Sequence, residues 1–299
     1  MHNNADGVYA VILAGGKGKR LRPLSTDAKP KPFLSITRDR KTMLRRTVDR
    51  VREIVPSRNV YVVANSLHSS LLKKDLPRVY WKNLVLEPVS RNTAPAIALT
   101  AGILEKKYGD AVMIVLPADH YIEDEKRFLA FVKKGVRFVK RGEGSIVCLG
   151  VEPDFPATGF GYIKTGRSKK GLKEKGVCEV DKFVEKPDLK TAKRYLKDKR
   201  YLWNVGTYIF KASAILRLIE EFVPEITRLL ISPRPSKKEY GRMPEISIDY
   251  AVMERARSIY CIPGSYGWQD VGSFENLIDI LRRESREFVL KEGKVLKIL

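Results

Sequence analysis

Short apolar runs alternate with longer helix-like segments along the first half of the chain, and this alternation constrains the fold more than any other feature. Strands alternating with helices at this spacing predict βαβ units, which build a mainly parallel sheet with helices on both faces. The predicted strands span residues 8–13, 60–64, 84–86, 111–116 and 145–151, and the predicted helices span residues 43–54, 66–75, 94–108 and 126–141. We therefore expect an α/β fold that binds ligands beyond the carboxyl ends of its strands.

The second half has a more mixed pattern. Strands are predicted at residues 161–164, 177–184 and 207–210, and a helix at residues 212–222. We interpret this part as a mixed insertion that covers the edge of the sheet and binds a second substrate. The last residues change character again, with a helix predicted at 273–283 and one or two strands within 288–298. The expected divisions are therefore a first half of about residues 1–150, a second half of about 151–272, and a short tail, 273–299.

Composition narrows the class of protein. With 43% hydrophobic residues the chain can bury a core, and it contains no apolar run of about 18 residues that could cross a membrane. The first seven residues are polar and lack the apolar segment of a secretion signal. Cys148, Cys178 and Cys261 are far apart in the sequence, follow no metal-binding pattern and are odd in number, which favours a reducing compartment. We expect a cytoplasmic protein without a membrane partner.

The net charge of +22, from 57 Lys and Arg against 35 Asp and Glu, allows two interpretations. One is nucleic-acid binding; the other is a solvated Lys- and Arg-rich surface. The second is favoured because the charge is spread along the chain and no nucleic-acid-binding motif accompanies it. We therefore expect no nucleic-acid partner, although a positive field would attract an anionic substrate.

A glycine-rich loop follows the first predicted strand. Glycines let backbone N–H groups approach a phosphate chain closely, and Arg20 and Lys31 supply the counter-charge. The Walker A pattern and the third glycine of a dinucleotide-binding loop are both absent, and glycines alone would also fit a simple turn. Together with the two cations, the loop favours a nucleoside triphosphate site. The loop residues assigned to it are Leu13, Ala14, Gly15, Gly16 and Gly18.

Seven further segments complete a recognisable pattern. They are residues 87–97 (Glu-Pro, then Arg-Asn-Thr-Ala-Pro-Ala-Ile), 117–120, 158–163, 183–187 (Phe-Val-Glu-Lys-Pro), 203–206, 247–254 and 268–272 (Trp-Gln-Asp-Val-Gly). With these motifs in this order, the chain resembles the sugar-1-phosphate nucleotidyltransferases over its length to about residue 274. Within them it is most similar to the mannose-1-phosphate guanylyltransferases, whose branch is marked by the Arg-Asn-Thr-Ala-Pro-Ala segment.

The resemblance implies a Rossmann-like, GT-A-like nucleotidyltransferase domain over residues 1–272. It also implies a reaction in which a sugar 1-phosphate attacks the α-phosphorus of a nucleoside triphosphate, here GTP and mannose 1-phosphate. Arg20 and Lys31 would hold the triphosphate, and Asp119 and Asp270 would bind Mg²⁺, which prefers one or two carboxylates with phosphate oxygens and water. Lys186 would hold the sugar phosphate. The sugar hydroxyls would contact Gly161, Glu185 and Asn204.

Base selection is assigned to Glu87. Guanine presents two adjacent donors, N1–H and the 2-amino group, and a carboxylate can accept from both, whereas adenine offers no such pair. Main-chain groups near Asn92 and Thr93 would complete the base pocket. His120 is expected to shape the loop beside Asp119 rather than to act as a general base.

Simpler interpretations compete with these assignments. Asp119 and Asp270 could cap the helices that follow them, and Glu87 could merely end a strand. The whole chain could instead use another base or another sugar phosphate, since nothing in the sequence separates mannose from glucose. It could also be a catalytically silent regulatory subunit that binds a nucleotide sugar. The tail could be a dimerisation arm of a homodimer or the remnant of a longer domain.

Overall fold

The computed structural model describes residues 7–16, 18–142, 146–166, 172, 176–230 and 235–299. The strands are β1 (Val8–Leu13), β2 (Val60–Asn65), β3 (Leu84–Glu87), β4 (Val112–Pro117), β5 (His120–Ile122), β6 (Ile146–Val151), β7 (Tyr162–Thr165), β8 (Cys178–Val184), β9 (Tyr201–Lys211), β10 (Ile259–Pro263), β11 (Trp268–Asp270), β12 (Phe288–Lys291) and β13 (Lys294–Ile298). The helices are α1 (Met43–Val51), α2 (Ser69–Asp75), α3 (Thr93–Tyr108), α4 (Glu125–Lys140), α5 (Leu189–Leu196), α6 (Ala212–Phe222), α7 (Pro224–Leu229), α8 (Lys237–Tyr240) and α9 (Phe274–Arg283).

Nine of these strands form one sheet in the order β3-β2-β1-β4-β9-β6-β10-β8-β7. Strands β1 to β4 are mutually parallel, and β6 is parallel to β10. Strand β9 is antiparallel to β4 and β6, while β8 is antiparallel to β10 and β7. All strands of this sheet except β8 and β9 therefore run in the same direction, which confirms the expected mixed, mainly parallel α/β sheet.

The two halves of the chain share this sheet. Strand β9, from the second half, lies between β4 and β6 rather than covering an edge, and its 11 residues extend well beyond the four predicted. Residues on both of its faces are buried, including Val205, Tyr208 and Ile209. A strand that buries side chains on both faces is stabilised most in the middle of a sheet. Only β7 and β8 take the edge position that was expected of the whole insertion.

Helices cover both faces of the sheet, as predicted. Successive β1 side chains point to opposite faces, so Ala10 and Ile12 join one apolar cluster while Tyr9 and Val11 join another. Helices α1 and α4 complete the first cluster, and α3 and α6 complete the second. Together the two clusters fix the carboxyl ends of β1, β3 and β4 at one edge of the sheet.

The tail packs against the body of the protein. The apolar face of α9, with Leu277, Ile280 and Leu281, contacts Leu21 and Leu34 from the segment after the glycine loop. Tyr121 donates a hydrogen bond to Glu284 Oε1 at 2.9 Å, which adds a polar contact at the end of this helix. Beyond α9, β12 and β13 form the predicted strands as a hairpin that pairs only with itself within the described part of the chain.

The three cysteines, distant in the sequence, come together in the sheet. Cys261 on β10 is in register with Cys148 on β6 and with Cys178 on β8, and all three thiols are free. Among the residues described, no group of His, Cys, Asp and Glu side chains is arranged to hold a metal ion by itself. None of the described helices combines the length and the apolar character needed to cross a membrane.

Candidate active site

A cleft of about 390 Å³ opens at the carboxyl ends of the parallel strands, where the sequence places the candidate residues. This volume falls in the range typical of small-molecule sites. Most of the predicted site residues line it: Leu13, Gly15, Gly16, Arg20, Glu87, Asn92, Thr93, Asp119, Gly161, Glu185, Lys186, Asn204 and Asp270. Ala14, Gly18 and Lys31 lie behind that lining, since Ala14 and Lys31 are buried and Gly18 lies against Lys31.

The glycine loop approaches a carboxylate on one side and a lysine on the other. A Cβ at Gly16 would lie 3.2 Å from Asp119 Oδ2, whereas one at Gly15 would meet nothing within 4 Å. Gly18 has a φ of +66°, and its Cβ would lie 2.7 Å from that of Lys31. Glycine at position 18 is therefore required both by the backbone conformation and by the packing of Lys31.

Lys31 lies between the two candidate metal ligands. Its ammonium is 2.8 Å from Asp119 Oδ2 and 2.9 Å from Asp270 Oδ1, and the residue is only 5% exposed. Burial lowers the pKa of Lys31, but the two carboxylates outweigh this effect and the pKa rises above its ordinary value. Burial raises the pKa of Asp119, yet the charge of Lys31 holds that pKa below its usual range. Lys31 and Asp119 are thus both charged at neutral pH.

Asp119 and Asp270 converge closely enough to share one cation. Both contact the same ammonium, and Arg20 lies 3.8 Å from the second oxygen of Asp270. Two carboxylates without a third protein ligand suit Mg²⁺, which completes its coordination with phosphate oxygens and water. The donor set therefore fits the magnesium ion that the resemblance implies, bound together with a phosphorylated substrate.

The capping alternative for the two aspartates is wrong. Helix α4 is capped by Asp124, whose side chain accepts a hydrogen bond from the Arg127 amide, and α9 is capped by Ser273. Asp270 instead belongs to β11, which pairs antiparallel with β5 and sets Asp270 opposite His120. These three-residue strands were not predicted, because so short a run carries no periodic signal.

His120 is held by an aromatic neighbour. Trp268 Nε1–H donates to His120 Nδ1 at 3.2 Å, and the two rings meet edge to face. Burial lowers the pKa of His120, so the imidazole is neutral at physiological pH. The contact fits the expectation that His120 shapes the loop beside Asp119.

Glu87 closes the far end of the cleft. It is the last residue of β3, it is only 4% exposed, and it lines the cleft. Burial raises the pKa of Glu87 to about 7, although a hydrogen bond from Tyr240 opposes the shift. Next to it, Asn92 has a φ of +69° and caps α3 by accepting from the Thr93 amide.

Residues from the second half complete this end. The Tyr240 hydroxyl donates to Glu87 Oε1 at 2.8 Å, and the Ile248 amide donates to Thr93 Oγ1 at 2.8 Å. The Arg91 guanidinium donates to the carbonyl of Gly241. Sequence reasoning missed Tyr240, and nothing in its local pattern marks it.

The opposite wall is built from side chains that bind one another. The Glu185 carboxylate accepts from the Lys186 ammonium, and a Cβ at Gly161 would lie 2.6 Å from Glu185 Oε2. Asn204 donates from its backbone to the Gly161 carbonyl at 2.8 Å and from its amide to the Tyr208 hydroxyl at 2.7 Å. Burial raises the pKa of Glu185, and the nearby Asp249 carboxylate adds to the rise although Lys186 opposes it.

Asp249 joins this network and was not assigned from the sequence. It accepts hydrogen bonds from the Tyr208 hydroxyl and from Asn204 Nδ2, and it lines the cleft. Burial raises its pKa above the ordinary value. The sequence does contain a signal for Asp249, because the residue lies in one of the segments that carry the resemblance, residues 247–254.

The family model described as nucleotidyl transferase matches residues 9–287. A mannose-1-phosphate guanylyltransferase of Escherichia coli K12 is 37% identical over 289 residues, covering 91% of this chain and 59% of that protein. The mannose-1-phosphate guanylyltransferase RfbM of Salmonella typhimurium is 38% identical over 94% of this chain and 60% of its own length. The chain thus spans about three fifths of the length of these curated relatives.

A solved structure extends the similarity to three dimensions. The crystal structure of a mannose-1-phosphate geranyltransferase from Thermus thermophilus superimposes with a TM-score of 0.83 at 31% identity. The match covers 96% of this chain and 83% of that one.

Proposed function

Because this chain belongs to the nucleotidyl transferase family, we propose that it transfers GMP from GTP to α-D-mannose 1-phosphate, giving GDP-mannose and pyrophosphate. The substrates follow from its similarity to relatives named mannose-1-phosphate guanylyltransferase. The observation that carries the proposal is that Asp119 and Asp270, joined by the buried Lys31 behind them, line the same cleft as the glycine loop and the Glu185–Lys186 pair.

The reaction joins two anions. A phosphate oxygen of mannose 1-phosphate attacks the α-phosphorus of GTP; the new O–P bond forms as the bond to the β-phosphate bridging oxygen breaks. Pyrophosphate leaves with that oxygen. The nucleophile is already ionised at neutral pH, so no general base is needed, and charge neutralisation and alignment supply the catalysis.

The glycine loop, Arg20 and Lys31 would each help to neutralise the negative charge of the substrates or of the two carboxylates. The backbone at Gly15 and Gly16 would face the phosphate chain, and the exposed Arg20 would reach its outer oxygens. The resemblance assigned Lys31 to the triphosphate, but Lys31 is enclosed and lies behind the cleft lining. It would instead act by holding the two carboxylates in place and by keeping the cluster from carrying two uncompensated negative charges.

Asp119 and Asp270 would hold Mg²⁺. When bound, the ion supplies positive charge to phosphate oxygens that would otherwise repel one another. The two carboxylates balance the charges of Lys31 and Arg20, so these four protein groups together are close to neutral.

The two ends of the cleft would select the substrates. Ionised Glu87 can accept from both N1–H and the 2-amino group of guanine, a pair of donors that adenine lacks. At the other end, half-exposed Lys186 would contact the sugar phosphate. Glu185, Asn204 and the Gly161 backbone would bind sugar hydroxyls; their mutual contacts fix where a hydroxyl group could fit.

Pyrophosphate release tests the proposal. We would combine GTP, ATP, UTP and dTTP with mannose 1-phosphate and glucose 1-phosphate, with and without Mg²⁺. Turnover restricted to GTP with mannose 1-phosphate is expected, and only when Mg²⁺ is present. Turnover with another pair would replace the proposed substrates with that pair. If folded protein turned over none of the pairs, a silent regulatory subunit would be favoured.

We further propose a cytoplasmic location and a homodimer. A reducing compartment suits the three free thiols. The hairpin of the tail exposes Val289, Leu290 and Leu296, which would give a second copy an apolar surface to contact. Light scattering on the purified protein measures its oligomeric state directly. A monomer at micromolar concentration would rule out the tail hairpin as a dimerisation surface.

A further inference from the structure

We infer that Tyr240 is a specificity-determining positioning residue, whose hydroxyl orients the Glu87 carboxylate so that both adjacent donors of guanine can reach it. The inference deepens the proposed function and rests on it, since it assumes that Glu87 reads the base. Tyr240 would not touch the nucleotide's reacting atoms. It would act through Glu87.

The contact is buried and direct. Tyr240 is fully buried and Glu87 is 4% exposed, and the hydroxyl donates to Glu87 Oε1 at 2.8 Å. The two residues are 153 positions apart in the chain. A buried polar pair of this kind is strongly orienting, because either partner left alone would be costly to bury.

The tyrosine is held firmly from its own side. Its helix, α8, begins with a capping box in which Ser236 and Glu239 bond each other's backbone amides, and the Tyr240 amide donates to the Ser236 carbonyl at 3.0 Å. The next residue, Gly241, accepts a hydrogen bond from Arg91, four positions after Glu87. Tyr240 and its neighbour Gly241 are therefore both hydrogen-bonded to the segment that runs from Glu87 to Arg91.

The hydroxyl is suited to a permanent donor role. Burial and the neighbouring Glu87 charge raise the pKa of Tyr240, so the phenol keeps its proton at any physiological pH. An ionised carboxylate has about four acceptor positions, and the phenol occupies one of them. This hydrogen bond restrains rotation of the carboxylate about its own axis.

Removing the hydroxyl has two consequences. The carboxylate becomes free to rotate, so the paired acceptance from N1–H and the 2-amino group loses its alignment. Burial then acts on Glu87 without the opposing hydrogen bond, which raises the carboxyl pKa above about 7.

The experiment compares Tyr240→Phe with the wild type, using GTP and inosine triphosphate, which lacks the 2-amino group. In Tyr240→Phe we expect KM for GTP to rise about tenfold, the loss of one hydrogen bond to a charged group. The preference for GTP over inosine triphosphate should fall by a similar factor, and the pH dependence of KM for GTP should move to higher pH. KM for mannose 1-phosphate should not change.

Two further variants separate the possible failures. Tyr80→Phe alters another fully buried tyrosine, whose hydroxyl bonds Ser57 away from the cleft, and it should change none of these quantities. Glu87→Gln tests the premise and should abolish the preference for GTP.

If Glu87→Gln loses the preference and Tyr240→Phe keeps it, the role of Tyr240 is refuted while the proposed function stands. If Glu87→Gln keeps the preference, base reading by Glu87 fails and the inference fails with it. An equal loss toward both nucleotides and the sugar phosphate in Tyr240→Phe would make the tyrosine merely structural.

Discussion

The two walls of the cleft are built in different ways. Part of the wall formed by the first half is backbone at strand ends: the glycines Gly15 and Gly16, and a capped turn at Asn92. The wall formed by the second half uses side chains bound to one another, with Asn204, Tyr208 and Asp249 in one network and Glu185 paired to Lys186. Contacts made by backbone are little affected by substitution of nearby side chains. In a network of hydrogen-bonded side chains, each substitution also alters the neighbouring side chains.

The largest expected effect comes where the two walls meet. Asp119→Asn removes one negative charge from the pair that holds Lys31, and it weakens the proposed magnesium site. We expect kcat to fall by about a thousandfold, a loss comparable to that of a principal electrostatic group in other active sites. Steady-state pyrophosphate release measures this effect.

Asp198→Asn is the matched control, because Asp198 lies at an exposed turn where it pairs with Arg200. It should leave turnover unchanged. Circular dichroism should find both variants folded. Near-normal turnover in folded Asp119→Asn would show that the two walls do not depend on this shared carboxylate.

A second difference between the walls is their response to pH. The base-binding end of the first wall holds the buried Glu87 carboxylate, whose hydrogen-bond partner, the Tyr240 hydroxyl, is neutral. The pKa of Glu87 rises from 4.5 to about 7 in the folded protein. A carboxyl with a raised pKa stabilises the fold below its unfolded pKa and loses that contribution as pH rises through the folded value. The free energy of unfolding should therefore fall by about 3 kcal/mol from Glu87 alone between about pH 4.5 and pH 7.

Urea unfolding of the wild type and of Glu87→Gln across about pH 4.5–8 isolates this contribution, since glutamine does not titrate. The fall in the free energy of unfolding that is due to Glu87 should appear as the difference between the pH profiles of the two proteins. GTP binding should change in the opposite direction, becoming tighter as pH rises, because the ionised carboxylate is the form that accepts from guanine. Parallel stability curves for the two proteins would contradict the assignment.

The glycines of the two walls offer a closer comparison. A Cβ at Gly161 would lie 2.6 Å from Glu185 Oε2, and one at Gly16 would lie 3.2 Å from Asp119 Oδ2. Gly161→Ala should displace the Glu185 carboxylate and raise KM for mannose 1-phosphate by about tenfold, with KM for GTP unchanged. Gly16→Ala should have a smaller effect and act mainly on GTP. Equal effects of the two variants on both substrates, measured by initial rates, would remove the distinction between the walls.

The smallest expected effect lies outside both walls. Gly102 is inside α3 and a Cβ there would meet nothing within 4 Å. Gly102→Ala should stabilise the protein by about 0.5–1 kcal/mol, because alanine favours the helix, and should leave both KM values unchanged. Thermal unfolding measures the gain; a loss of stability would mean that the helix packs more tightly at this point than its surroundings indicate.

The sequence identified the local parts of the molecule well. The strand at Val8–Leu13 and the helix at Ala212–Phe222 have the predicted bounds, because each is an apolar pattern bounded by clear breaks. It also placed Glu87 and Asp119 at strand ends, and so at one edge of the sheet. Its errors were mostly short or non-local: β5, β10, β11 and the helices α5, α7 and α8 were missed, and β9 was taken as a short strand outside the centre of the sheet.

The sequence by itself determined the α/β architecture and the glycine loop, because these depend on periodicity and on the order of elements along the chain, whereas most of the other residues that line the cleft were assigned through the resemblance to a known family. Only the tertiary structure decided that Lys31 lies between Asp119 and Asp270, or that Tyr240 bonds Glu87. Such pairs are separated by up to 239 positions in the chain. They form because burial leaves each charged or polar group in need of a partner, and the packing of the two halves determines which partner lies within reach.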